Sequence, residues 1–166
     1  MSRLIHYSAK PLERIWSITI DDQKVFRNGV HKPRGLWVSV EGEQDWKEWC
    51  EAENWGLNRL ACAAEIILAP QANVLHLSSE TDLDRFHKEF ATVLFRYGKG
   101  LGEYTAIQWP VVAAKYDGVI IAPYIWSRRR GGAVSDWYCG WDCASGCIWN
   151  VDAIADFKLI EQQEAA

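Results

Sequence analysis

The sequence predicts an α+β fold in one domain spanning residues 1–166. Short apolar and β-branched runs outnumber helical ones. The two or three helical segments are inserted irregularly rather than after each strand, a pattern that disfavours a doubly wound parallel sheet. A chain of 166 residues with 49% hydrophobic content has room for one sizeable core and not for two.

In chain order, "RLIHYS" (Arg3 to Ser8) alternates weakly and opens the fold as a strand. "RIWSITI" (Arg14 to Ile20) reads as a second short strand or an extended loop, and Asn28-Gly29, Pro33 and Gly35 mark a turn and loop after it. "LWVSV" (Leu36 to Val40) is a strand. "DWKEWCEAENW" is a short helix capped by Asp45 and ended before Gly56, with Trp46 and Trp49 on one face.

"RLACAAEIIL" and "NVLHLS" are two strands separated by the "APQA" turn. In "SSETDLDRFHKEFATVLFRYG", Leu83, Phe86, Phe90, Val93, Leu94 and Tyr97 keep helical spacing and Gly98 ends the helix. A short helix opens at Pro110, Tyr116-Asp117-Gly118 is a tight turn, and "VIIAPY" is a buried strand. The segment from Ile125 to Gly146 is a long aromatic loop, "CIWNV" and "FKLIEQ" are the closing strands, and the tail "EQQEAA" frays.

The net charge of −4 gives no general pull toward nucleic acid or an anionic membrane. No window approaches the roughly 18 apolar residues of a membrane span, and "MSRLIHYSAKPLERIW" lacks a signal-peptide core, so a soluble cytoplasmic protein is expected. The five cysteines read as reduced thiols rather than as a disulfide framework. Cys139, Cys143 and Cys147 recur every fourth residue, but Gly140 and Gly146 argue against a helix and no fourth ligand is evident, so no metal is expected. Internal repeats are absent, as are the glycine-rich nucleotide motifs, His-Glu-x-x-His and Gly-x-Ser-x-Gly. His76 and His87 read as structural.

Three separated pieces carry the functional inference: "LIHYS"; "RGLWVSV" with the tryptophan-bearing helix after it; and "KYDGVII", a loop and "SGCIWNVDAIADFKLI". Together, in this order, they resemble the ADP-ribosyltransferase fold, in the His-Tyr-Glu branch of diphtheria-type toxins and poly(ADP-ribose) polymerases. "GLWVSV...DWKEWC" and "WDCASGCIWN" resemble a viral or phage-associated variant, which would place the protein in a host cytoplasm. The resemblance spans Leu4 to Ile160 and implies a split β-sheet core with NAD as co-substrate.

In such a site His6 and Ser8 contact ribose and carboxamide, and Tyr7 contacts nicotinamide through its backbone with its side chain turned away. Gly35, Trp37 and Ser39 belong to the nicotinamide-binding strand. Trp37 is one ring wall, Trp46 or Trp49 the other, and the loser of that pair, with Trp55, belongs to the core. Ser145 stands where the family has its catalytic glutamate. Asp142, three residues earlier, is the nearest acid, with Glu103 and Asp136 as further alternatives. Asp142 also reads as a turn cap through Asp-x-Ala-Ser-Gly.

This chemistry is consistent with the residues themselves. Breaking the nicotinamide–ribose bond needs aromatic walls for a planar cationic ring and a carboxylate against an oxocarbenium-like centre. Arg128, Arg129, Arg130 and Trp137, on the loop before the last strands, would dock a protein or nucleic-acid acceptor or a phosphate of NAD, although an arginine run is also often a solvated loop. A member of the fold lacking the glutamate could instead bind a nucleotide or a protein without turnover.

Overall fold

The computed structural model describes residues 2–20, 23, 32–42, 44–96, 98 and 102–160. The expectations for Asn28-Gly29, Tyr97 and the tail from 161 lie outside the described residues. The α+β class is borne out: among the described residues nine strands and five helices alternate irregularly. Three of the five helices are only four or five residues long, so the expectation of two or three helices missed single turns.

The strands are β1 (Leu4–Ser8), β2 (Leu36–Val40), β3 (Cys62–Leu68), β4 (Val74–Leu77), β5 (Ala91–Arg96), β6 (Glu103–Ile107), β7 (Gly118–Ile121), β8 (Ser145–Ile148) and β9 (Ile154–Ile160). The helices are α1 (Trp46–Ala52), α2 (Glu80–Phe90), α3 (Trp109–Ala113), α4 (Trp126–Arg129) and α5 (Ser135–Tyr138). Seven strands form one sheet in the order β4-β7-β8-β2-β1-β3-β9, and β5 and β6 form a separate hairpin. Among the described residues only β4 and β7 pair in parallel; the chain between them crosses over through α2, the hairpin and α3.

Hydrogen bonding is continuous across the seven strands, but its middle joint is short. β1 pairs with β2 only at Leu4–Val40 and Ile5–Ser39. Beyond Ile5, β1 keeps pairing with β3 as far as Ser8–Cys62, and β2 keeps pairing with β8 down to Leu36–Ile148. Each half of the sheet is thus zipped to its own outer neighbour while the ladder between the halves stops.

The core lies on the face that carries Leu77, Val119, Ile121 and Cys147, covered by Leu83, Phe86 and Phe90 of α2, Trp109 and Val112 of α3, and Trp137, Trp141 and Trp149. Each large apolar side chain buried in this way contributes roughly 1.5–3 kcal/mol. Indoles keep their polar end satisfied where they can: Trp149 Nε1 donates to the Tyr116 carbonyl at 2.6 Å and Trp137 Nε1 to His87 Nδ1 at 3.2 Å. Asp117 of the expected tight turn is a structural knot, accepting from Asn73 N and from Asn150 Nδ2, both at 2.8 Å.

Some element expectations are corrected. Of the two readings of Arg14 to Ile20 the loop holds and the strand does not, with Ile18 N donating to the Trp149 carbonyl at 2.9 Å. The helix expected to run to Gly98 stops at Phe90, where the Phe90 carbonyl accepts from Gln108 N at 2.9 Å. Thr92 and Val93 then pair with Ala106 and Thr105 in the hairpin, so the helical spacing of Val93 and Leu94 was fortuitous and both are exposed. "RLACAAEIIL" begins with a 3₁₀ turn over Leu57–Leu60 and becomes a strand only at Cys62. The long loop contains α4 and α5, tied together by Tyr138, whose hydroxyl accepts from Ile125 N at 2.9 Å.

Candidate functional site

The joint between the half-sheets holds a pocket of about 290 Å³, lined by Ile5, His6 and Tyr7 of β1, Trp37, Val38 and Ser39 of β2, Ser145 of β8, and by Lys32, Trp46, Arg59, Asp142 and Cys143. That volume lies at the lower end of small-ligand sites, which span about 300–1,000 Å³.

His6 bridges the gap where the ladder ends: its Nδ1–H donates to the Trp37 carbonyl at 2.8 Å. That bond fixes the tautomer of the neutral ring and leaves Nε2 as an acceptor. Ser39 is buried, and its Oγ accepts from Trp46 N at 2.9 Å, seating the first turn of α1 against β2. Asp45 caps the same turn by accepting from Glu48 N at 2.9 Å. Trp46 is thereby held as a pocket wall, while Trp49 stacks behind it at 5.1 Å with the ring planes 14° apart.

The competition for the second wall therefore goes to Trp46. Trp55 is 44% exposed and meets both rings edge-on, so it is not core; the Arg59 guanidinium covers it at 4.9 Å. Trp37 packs against Trp141 at 4.9 Å and carries the Lys32 ammonium at 5.1 Å from its ring centroid.

Asp142 lines the pocket with its carboxylate doubly engaged. Oδ1 accepts from Arg129 Nη2 at 3.1 Å, and Oδ2 stands 3.9 Å from Lys32 Nζ. Ser145 is buried and donates to the Cys143 carbonyl at 3.1 Å, a structural bond. Burial pushes the neighbouring Cys143 thiol up to about 12, which keeps it protonated and unreactive at neutral pH.

Other expected residues stand elsewhere. Ser8 turns away from the pocket and donates to the Lys10 carbonyl at 2.6 Å. Gly35 serves packing: a Cβ there would lie 2.5 Å from the Ile148 carbonyl oxygen. Tyr7 does not turn away, since it lines the pocket and strand parity sets it on the face of Ile5 and its partner Ser39. Its phenol is held above its ordinary value by burial and by Asp45 and Glu41.

The acceptor-binding set is also redistributed. Trp137 is fully buried in the core and cannot meet an acceptor. Arg128 grips Asp84 at 2.8 and 2.7 Å and Glu80 at 3.2 Å, pinning α4 to α2. Arg129 serves Asp142, and Arg130 is exposed. The alternative acids are committed as well: Glu103 pairs with Arg96 at 2.6 Å, and Asp136 accepts from Thr105 N at 2.7 Å.

Lys32 and Arg59 escaped sequence reasoning, and Cys143 was weighed there only as a metal ligand. Lys32 and Cys143 flank residues singled out by pattern, whereas Arg59 has no local signal. Among the described residues no group of three His, Cys, Asp or Glu could hold a metal ion, and no helix is long and apolar enough to cross a membrane. All five cysteines are unpaired. Comparisons with protein families, with curated proteins and with solved structures find no match to this chain.

Proposed function

We propose that the protein is an NAD-dependent mono-ADP-ribosyltransferase that transfers ADP-ribose to a macromolecular acceptor, protein or nucleic acid, and that its sheet is the split core of that fold. The observation that carries this reading is the pocket at the β1–β2 joint, which gathers His6, Trp37, Trp46 and Asp142 from four separate parts of the chain. Support also comes from the ladder that stops after two residue pairs at that joint.

The residues present fit nicotinamide riboside. His6 Nε2 accepts from a ribose hydroxyl while Nδ1 holds the ring in place. Trp37 and Trp46 orient a flat cationic ring through the negative faces of their indoles. In the transfer, the N-glycosidic bond breaks with its electron pair on the nicotinamide nitrogen, and the acceptor nucleophile bonds the ribose carbon and releases its proton to water. Asp142 opposes the positive charge that develops at that carbon.

A second reading has a specific observation behind it: Asp142 is already engaged by Arg129 and Lys32, and Ser145 occupies the glutamate position. A non-catalytic nucleotide- or protein-binding module would carry these same features. Incubation with labelled NAD and a cell lysate, followed by separate protease and nuclease digestion, decides between them. Transfer of label, released by one of the two treatments and lost in Asp142→Asn, is the expected result. A rise in melting temperature with NAD but no consumption of it would establish the binding module instead.

A further inference from the structure

The pocket already contains a cation. Lys32 Nζ lies 5.1 Å from the Trp37 ring centroid and 3.9 Å from Asp142 Oδ2, so one ammonium group touches both the aromatic wall and the acid. These are the two features that would bind a planar monocation entering from solvent. Arg129, at 3.1 Å from the other carboxylate oxygen, is tied more closely to Asp142 and also stands 5.6 Å from the Trp126 ring.

We propose that the pocket is a subsite for a cationic aromatic ring and that Lys32 is its resident occupant, which an incoming pyridinium-type ligand displaces from Trp37 and Asp142. The proposal deepens the reading above and rests on it for the ligand's identity, while the subsite itself requires no turnover of NAD. Displacement is feasible because both contacts are weak. An ion pair at 3.9 Å, at the outer limit of contact and with side chains 35% and 24% exposed, is weak, and a partly exposed cation–π contact is modest. The four-carbon stem lets the ammonium swing into water while the chain stays in place.

Charge balance gives the exchange its selectivity. With Lys32 displaced, Asp142 loses one neighbouring positive charge, and a cationic ring against Trp37 replaces it. A neutral ring of the same shape would leave the carboxylate short of that charge. Lys32 thus acts as a threshold that a cation passes more readily than a neutral analogue.

The test is calorimetric titration with N-methylnicotinamide cation and with neutral nicotinamide, in the wild type and in Lys32→Met and Lys32→Arg. Methionine keeps much of the stem and removes the charge; arginine keeps the charge. The expected result is that Lys32→Met binds the cation about five-fold more tightly than the wild type, a gain in line with the loss of one weak ion pair and one cation–π contact. Lys32→Arg should show no gain, and in Lys32→Met the affinity for neutral nicotinamide should rise by at least as large a factor, because the same occupant no longer has to be displaced; a gain confined to the cation would indicate charge repulsion alone and overturn the proposal. Equal or weaker binding of the cation by Lys32→Met, or no binding by any of the three proteins, overturns the proposal. Tight cation binding without NAD turnover would sink the transferase reading and leave this one standing.

Discussion

Trp37 makes contact with Trp141 in the core at 4.9 Å and with Lys32 in the pocket at 5.1 Å, so one indole joins the core to the pocket wall. Trp37→Ala should lower NAD affinity more than ten-fold in a calorimetric titration, about 1.4 kcal/mol or more. Trp37→Tyr, which keeps an aromatic face, should retain most of it. His87 makes a prediction of a different kind. Burial holds its imidazole below the ordinary value of 6.5, against the opposite pull of Asp136 and Asp84, and its Nδ1 must stay unprotonated to accept from Trp137. The unfolded chain therefore binds the proton more readily than the folded one. This contribution to stability is complete above about pH 6.5, is lost as pH falls from there toward the folded value, and levels off below it. Melting temperatures between pH 8 and 5 should show that decline in the wild type and a flatter profile in His87→Gln. The carboxylates Asp82 and Asp84 are held below their ordinary values by hydrogen bonds and act only at lower pH.

At the scale of elements, α1 is seven residues long and depends on its first turn. Asp45 caps Glu48 N and Ser39 accepts from Trp46 N, so the position of the second pocket wall rests on two side-chain oxygens. Asp45→Ala should cost about 1 kcal/mol in urea unfolding and weaken ligand binding, whereas Asp45→Asn should preserve both. Helix α1 was legible because its cap and its spacing are local, although it stops at Ala52, short of the expected end, and Gly56 instead opens the 3₁₀ turn. The end of α2 was not. Leu83, Phe86, Phe90, Val93 and Leu94 continue one helical pattern, and only the presence of β6 as a ladder partner turns the last two into strand residues. The two helical turns in the 125–146 segment were hidden for the same reason, since Tyr138 and Trp137 stabilise them through tertiary contacts.

Across the whole molecule, β8 occupies the centre of the half-sheet that bears the core, and Gly146 is what lets it approach β7. A Cβ at Gly146 would lie 2.6 Å from both the Val119 carbonyl oxygen and Ile120 Cγ1. Gly146→Ala should destabilise the protein by about 1–3 kcal/mol, the usual cost of overpacking, with a lower urea midpoint and an unchanged slope. Because β8 also carries Ser145 beside the pocket, binding of the pyridinium probe should weaken in the same variant.

The resemblance of three ordered pieces grouped His6, Trp37, Trp46 or Trp49 and Asp142, while residue types and local spacing alone determined the α+β class and the strands around His6 and Trp37. The class and the strands follow from period, caps and turn residues, which act over a few positions. Tertiary structure alone decided that Trp46 rather than Trp49 faces the pocket, that Trp137 is core, that Arg128 is a clasp, and that Lys32 and Arg129 hold Asp142. Each of those outcomes depends on partners far away along the chain, such as the 13 positions from Arg129 to Asp142 and the 50 from Trp137 to His87. Contacts over such separations are set by how the half-sheets and helices pack, and no periodicity in the sequence records them.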